Sequence, residues 1–308
     1  MPRAPEGGER APAAGRTAAG RTAAGRNGAG RSWPAEPGGN ERPSEARPAP
    51  VVPASGRDAA AWLFLGLVGF AVGQLLALLF VSVVAAALGE LGRVATLTAA
   101  AEPPGWVVVA ELLGLWVGFL GAVVVASRTR GTGRVARDMG LAIRPGDLVV
   151  GGAIGVACQL VLIPVLYLPL RALIPHLDRR LSTPAKHLTG GFHGPELALI
   201  GFLTVAVVPV VEELLFRGLV LRALLRLAAP AGRVLGPVLA VVGTGILFGL
   251  AHAEPLELLG LAVLGMVLAA LAWRTGRLGP SMAAHGAFNL VAIVTLAFGT
   301  AGVPGLWR

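Results

Sequence analysis

Residues 197–227 read LALIGFLTVAVVPVVEELLFRGLVLRALLRL, an apolar run interrupted near its middle by Glu212, Glu213 and Arg217. A helix needs about 20 residues at 1.5 Å each to cross the hydrocarbon core of a bilayer, and this run is longer. Within hydrocarbon an ionisable side chain costs about 3 kcal/mol by insertion scales, so each of the three must find a partner or a water-filled cavity. Glu213 and Arg217 lie four residues apart with the acid N-terminal, the favourable order for an ion pair across one helical turn. Glu212 points about 100° away and is left out of that pairing. Two carboxylates beside one guanidinium leave an excess negative charge, to be met by a proton, a cation, a water or a histidine.

The rest of the chain repeats the apolar pattern. Of its 308 residues 55% are hydrophobic and only 14% are charged, well below the charged share of a soluble domain. Stretches of spanning length recur at 59–88, 106–127, 148–170, 197–227, 234–253, 256–273 and 279–300, separated by polar breaks. None shows the polar/apolar alternation of a strand barrel. The predicted fold is therefore all-α, a polytopic membrane bundle of about seven transmembrane helices over residues 59–308. Residues 1–58, rich in Ala, Gly, Pro and Arg, cannot bury a core and read as a disordered cytoplasmic tail. Their first thirty positions show no apolar segment ahead of a small-residue cleavage site.

Net charge is +9, from 26 Lys and Arg against 17 Asp and Glu. With the tail inside, the cytoplasmic connections hold Arg128, Arg130, Arg134, Arg137, Arg144, Arg222, Arg226, Arg233, Arg274 and Arg277. The opposite side holds Arg93, Arg171, Arg179, Arg180, Lys186 and Arg308, so the count favours a cytoplasmic N-terminus, in the plasma membrane. The basic residues sit between spans with no interleaved aromatics, which speaks against a nucleic-acid partner and for the lipid bilayer. The single cysteine, Cys158, excludes an intramolecular disulfide and a cysteine metal cluster.

Gly69/Gly73, Gly114/Gly118, Gly151/Gly155 and Gly245/Gly249 are small residues four apart, which allow close helix approach. Among the histidines, His176, His187 and His193 fall in the polar connection after the third span, where a solvated surface is the simpler reading. Phe248 and His252 share one helical face, as do His285 and Asn289. Glu212 lies 20 residues before Gly232 and His252 lies 20 after it, so a straight fourth span and an antiparallel fifth bring them to equal depth. His285 fits less well: the sixth span is about 27 Å long, whereas His285 stands only about 9 Å beyond the start of the seventh.

Glu-Glu-x-x-x-Arg at Glu212, Glu213 and Arg217, Phe-x-x-x-His at Phe248 and His252, and His-x-x-x-Asn at His285 and Asn289 resemble, in this order, the motifs of the CPBP intramembrane proteases, also called Abi or CAAX-protease-like proteins. The resemblance covers a catalytic core at about 197–300. It implies an intramembrane endopeptidase that hydrolyses a peptide bond of a membrane-presented peptide or protein. Carried onto this chain, it makes Glu212 the general base, with His252 helping to hold the water and His285 and Asn289 donating to the oxyanion. Glu213, Arg217 and Phe248 become supporting residues. Glu212, His252 and His285 also compose a candidate set for a divalent metal such as zinc, while the same residues suit a metal-free mechanism, and both stay open. A non-catalytic membrane adaptor or bacteriocin-immunity-type protein of the same fold, and a proton-coupled carrier, are the alternatives.

Overall fold

The computed structural model describes residues 53–100, 102–181 and 192–297. Nearly all of the tail read over 1–58, His187 and Lys186 in the third connection, and positions 298–300 of the last expected span lie outside the described residues. The structure is 83% helical, with no strand among the described residues. Its main helices are α1 (Gly56–Ala87), α2 (Gly105–Arg130), α3 (Pro145–Leu173), α4 (Gly194–Leu227), α5 (Leu235–Ala251), α6 (Leu258–Thr275) and α7 (Gly279–Ala297). Of these, α1 to α4 and α6 are long and apolar enough to cross a membrane, and α5 is apolar but shorter. Phe64, Leu75, Val149, Leu168 and Phe202 are exposed, the surface expected of helices that face lipid. The chain is an integral, multi-pass helical membrane protein.

Two of these helices are not regular. In α3 a π-helical turn covers Cys158–Leu162, and Pro164 follows it; in α4 a π turn covers Leu203–Val207, and Pro209 follows. Each time the residue ahead of the proline donates its N–H five positions back, Ile163 to Cys158 and Val208 to Leu203. A proline ring clashes with the preceding turn and has no N–H of its own, and the widened turn relieves the clash. The cost is a carbonyl, Thr204 in α4, that faces a proline instead of a donor. A second π turn covers Leu214–Val220 and includes Arg217. The fourth span is thus not a regular α-helix, and it ends at Leu227 ahead of a short turn at Ala229–Ala231.

The paired glycines all fall at helix crossings. Gly69 and Gly73 of α1 meet Gly118 of α2, and Gly114 of α2 meets Leu76 and Ala77 of α1; Gly151 and Gly155 of α3 meet Pro280, Ala283 and Ala284 of α7; Gly245 and Gly249 of α5 meet Leu258, Ala262 and Met266 of α6. Without a hydrophobic force between helices in lipid, such backbone-to-backbone contact supplies the dispersion attraction that holds them together.

Polar bonds at one end of the bundle set the register. Arg277 pairs with Asp147, Nε to Oδ2 at 3.1 Å, while Leu278 and Gly279 donate to the carbonyls of Gly140 and Ala142 at 2.9 and 3.1 Å. Arg222 of α4 donates to the Gly276 carbonyl at 3.1 Å, so the α6–α7 turn stands beside Arg222 and not at the end of α4. From that level, Glu213 is nine residues back along α4 and His285 is nine residues forward toward α7, about 13 Å each way up the bundle. This raised start of α7 removes the depth conflict that the sequence poses for His285.

Replacing Gly118 by Leu should force α1 from α2 and lower stability by about 2 kcal/mol, whereas Leu at Gly121, which faces open space, should have little effect. Thermal unfolding in detergent checks both: equal midpoints for the two variants would contradict this packing.

Candidate active site

At the centre of the bundle Arg217 and Glu213 are both fully buried and joined by an ion pair of 2.8 Å across one turn of α4. The second guanidinium nitrogen donates to the Gly265 carbonyl of α6 at 3.1 Å, and the guanidinium carbon stands 4.4 Å from the centre of the Phe248 ring on α5. Gly265 packs against Gly245, which keeps the α6 backbone close enough for this reach. Glu213 Oε1 in turn meets His285 Nδ1 of α7 at 3.1 Å. One buried charge pair on α4 therefore fixes the positions of α5, α6 and α7.

Glu212 lies beside this pair with its side chain 13% exposed, and its Oε2 stands 3.8 Å from His285 Nε2. That oxygen is buried and has no hydrogen-bond partner. A separation of 3.8 Å is too long for a direct hydrogen bond. His285, 3% exposed, thus faces both carboxylates, one from each ring nitrogen. This is the histidine that the excess negative charge of the sequence called for.

Asn289, one turn beyond His285, donates from Nδ2 to the Thr204 carbonyl at 2.9 Å. The acceptor is the carbonyl that Pro209 leaves without a helical donor, so a proline on α4 orients an amide on α7. An amide nitrogen carries two hydrogens, and the second remains for another acceptor.

His252 stands at the end of α5. It caps α5, and its Nδ1 lies 2.8 Å from its own Phe248 carbonyl. This contact makes Nδ1–H the donor and leaves Nε2 as an acceptor. Phe248 separates the two imidazoles, 4.7 Å from the His252 ring and 5.7 Å from the His285 ring, edge-on to the latter. No hydrogen bond or ion pair joins His252 to Glu212 among the described residues. Counting residues from the α4–α5 turn gives depth but not direction around each helix axis. Among the described residues no group of three His, Cys, Asp or Glu side chains is arranged to hold a metal ion. His176 and His193 are exposed and stand apart from the cluster.

The motif reading passes over Glu111, a half-buried acid of α2 that has no hydrogen bond or ion pair among the described residues. An acid between apolar neighbours in an expected span is the same signal that marks α4. The turn between α5 and α6 also holds Glu254 and Glu257. Burial, and then the neighbouring Glu254 carboxylate, push Glu257 up to about 7.

A carboxyl raised from 4.5 to about 7 binds more protons folded than unfolded between those pH values. Its ionisation therefore removes stability as pH rises through this window, by up to about 3 kcal/mol. Glu257→Gln should leave the thermal midpoint unchanged near pH 4 and raise it at pH 8. Equal effects at both pH values would contradict the burial of this carboxyl.

Residues 194–291, about a third of the chain, match the family model described as Type II CAAX prenyl endopeptidase Rce1-like. No curated protein and no solved structure matches the chain. The matched stretch holds Glu212, Glu213, Arg217, Phe248, His252, His285 and Asn289, the residues on which the resemblance to CPBP proteases rests. This part of the chain is similar to a CAAX-protease domain, and it lies within a helical membrane bundle.

Proposed function

We propose that the chain is an intramembrane endopeptidase that cleaves a membrane-presented peptide with water activated by Glu212. The observation that carries the reading is the gap between Glu212 Oε2 and His285 Nε2, 3.8 Å across, beside a fully buried ion pair. A water bonded to both groups gives its proton to Glu212 while its oxygen attacks the scissile carbonyl. The carbonyl oxygen becomes an oxyanion and accepts from Asn289 Nδ2 and from His285. The contact of His285 Nδ1 with Glu213 holds the ring in place beside Glu212. The C–N bond then breaks, and the proton on Glu212 passes to the leaving amine. In this reading His252, with Nε2 left as an acceptor, helps to hold the water.

The scheme is written without a metal. The substrate is a peptide presented at the bilayer. The family description names CAAX prenyl peptides, which makes a prenylated peptide the first to assay, with its unprenylated twin as control. The basic ends of the helices gather on one side: Arg130 meets Asp58, Arg226 meets the Ala54 carbonyl, and Arg277 meets Asp147. We place that side in the cytoplasm of a cell whose plasma membrane holds the protein.

Purified protein in lipid vesicles should cleave such a peptide, and Glu212→Ala should lower kcat by about a thousandfold with KM little changed. Asn289→Ala should lower it by about a hundredfold. Activity should survive a strong divalent-metal chelator. Full activity in Glu212→Ala would sink the proposed base; loss of activity on chelation, restored by zinc, would sink the metal-free scheme.

A further inference from the structure

The α5–α6 turn, residues 252–257, carries His252 and is held in place from outside the matched stretch. Ala253 in this turn has φ of 53°, a left-handed conformation that a residue with a side chain keeps only when its surroundings impose it. The first N–H groups of a helix have no partner within it, and Glu257, ahead of α6, gives no side-chain cap. Tyr167 supplies the missing acceptor. This residue of α3 is the chain's single tyrosine and is 2% exposed. Its phenolic oxygen accepts the Gly260 N–H at 3.0 Å and donates to the Leu256 carbonyl at 2.7 Å. One oxygen thus ties the turn at Leu256 and the first turn of α6 at Gly260, at a place where buried polar groups need partners within the protein. Leu256 adds its side chain to the apolar cluster of Tyr167, Leu177 and Leu181.

Twelve residues before Tyr167, the same helix reaches the other imidazole. Gly155 lets α3 lie against Ala284, the neighbour of His285. One element therefore braces both histidine-bearing segments. We propose that Tyr167 is a positioning residue: by clamping the 252–257 turn onto α3, it sets where His252 stands relative to His285. It acts through His252 and does not touch the substrate. This inference rests on the endopeptidase reading and adds to it a residue outside the family match.

The test is Tyr167→Phe, which keeps the ring and removes only the oxygen, assayed on the prenylated peptide beside wild type and Glu212→Ala. An imidazole moved by about 1 Å should cost about tenfold to a hundredfold in kcat, with KM close to wild type. Hydrogen exchange should rise in the peptide covering 252–261 and stay unchanged in α1, α2 and α7. Gly260→Ala serves as the second variant, because its methyl presses on the Tyr167 ring and removes no polar atom; it should give the same kcat loss at unchanged KM. An active wild type with unaffected kcat in Tyr167→Phe overturns the proposal alone. So does a loss accompanied by faster exchange throughout the helices in both variants. A wild type no more active than Glu212→Ala overturns the endopeptidase reading itself, and any positioning role with it.

Discussion

A charge in hydrocarbon must be answered by another charge or by hydrogen bonds, and the arrangement of α4 to α7 follows from how Arg217 is answered. The pair with Glu213 meets the first part of the demand, but a guanidinium has five donors and a planar face. The Gly265 carbonyl takes one donor and the Phe248 ring covers the face. Glu213, still an anion with acceptor capacity to spare, draws in His285. Removing one partner of such a pair leaves an uncompensated buried charge, the most destabilising change a core can suffer. The same demand that locks the helices together therefore places an imidazole next to Glu212, and structural support and candidate chemistry share their residues.

Glycines and prolines make this arrangement sterically feasible. Gly245 and Gly265 bring α5 and α6 near enough for an arginine on α4 to reach both. Pro209 acts in the opposite sense, by withholding a hydrogen bond. Its missing N–H leaves the Thr204 carbonyl open, and Asn289 closes on it from α7. A regular α4 would have satisfied Thr204 internally and left the Asn289 amide free to rotate. The π turn thus converts a local defect into an orienting contact between two helices, a use for which such turns are suited.

Local relations were legible in the sequence because helical periodicity dictates them. The Glu213–Arg217 pairing follows from a spacing of four, and each Gly-x-x-x-Gly pair falls at a crossing because small residues are the means of close approach in lipid. The ordered motifs over 212–289 marked the domain that the family match covers. Relations between helices were only partly legible. Residue counting gave depth, and it failed for His285 because the Arg222–Gly276 bond lifts the start of α7, a contact between segments 54 residues apart. It missed the direction of His252, whose ring turns back on its own helix. Tyr167 carried no motif at all. Its role depends on which helix lies beside the α5–α6 turn, and no period in the sequence specifies that neighbour.

The scheme proposed for the cluster moves charge without adding any. Glu212 and Glu213 are two carboxylates beside one guanidinium, Arg217. When Glu212 takes a proton from water, it loses a charge, and the oxyanion formed beside His285 gains one. The net charge is the same before and after, and a negative charge shifts by a short distance from one side of the imidazole to the other. A low-dielectric interior penalises net charge far more than a short displacement of charge between fixed partners. The donors toward which the charge moves are already oriented, His285 by Glu213 and Asn289 by Thr204, so little reorganisation accompanies the step. Without the guanidinium, that negative charge would stand unbalanced in the apolar setting, first on the carboxylate and then on the oxyanion. The second glutamate and the arginine, which never touch the peptide bond in this scheme, are what allow the first glutamate to work at this depth.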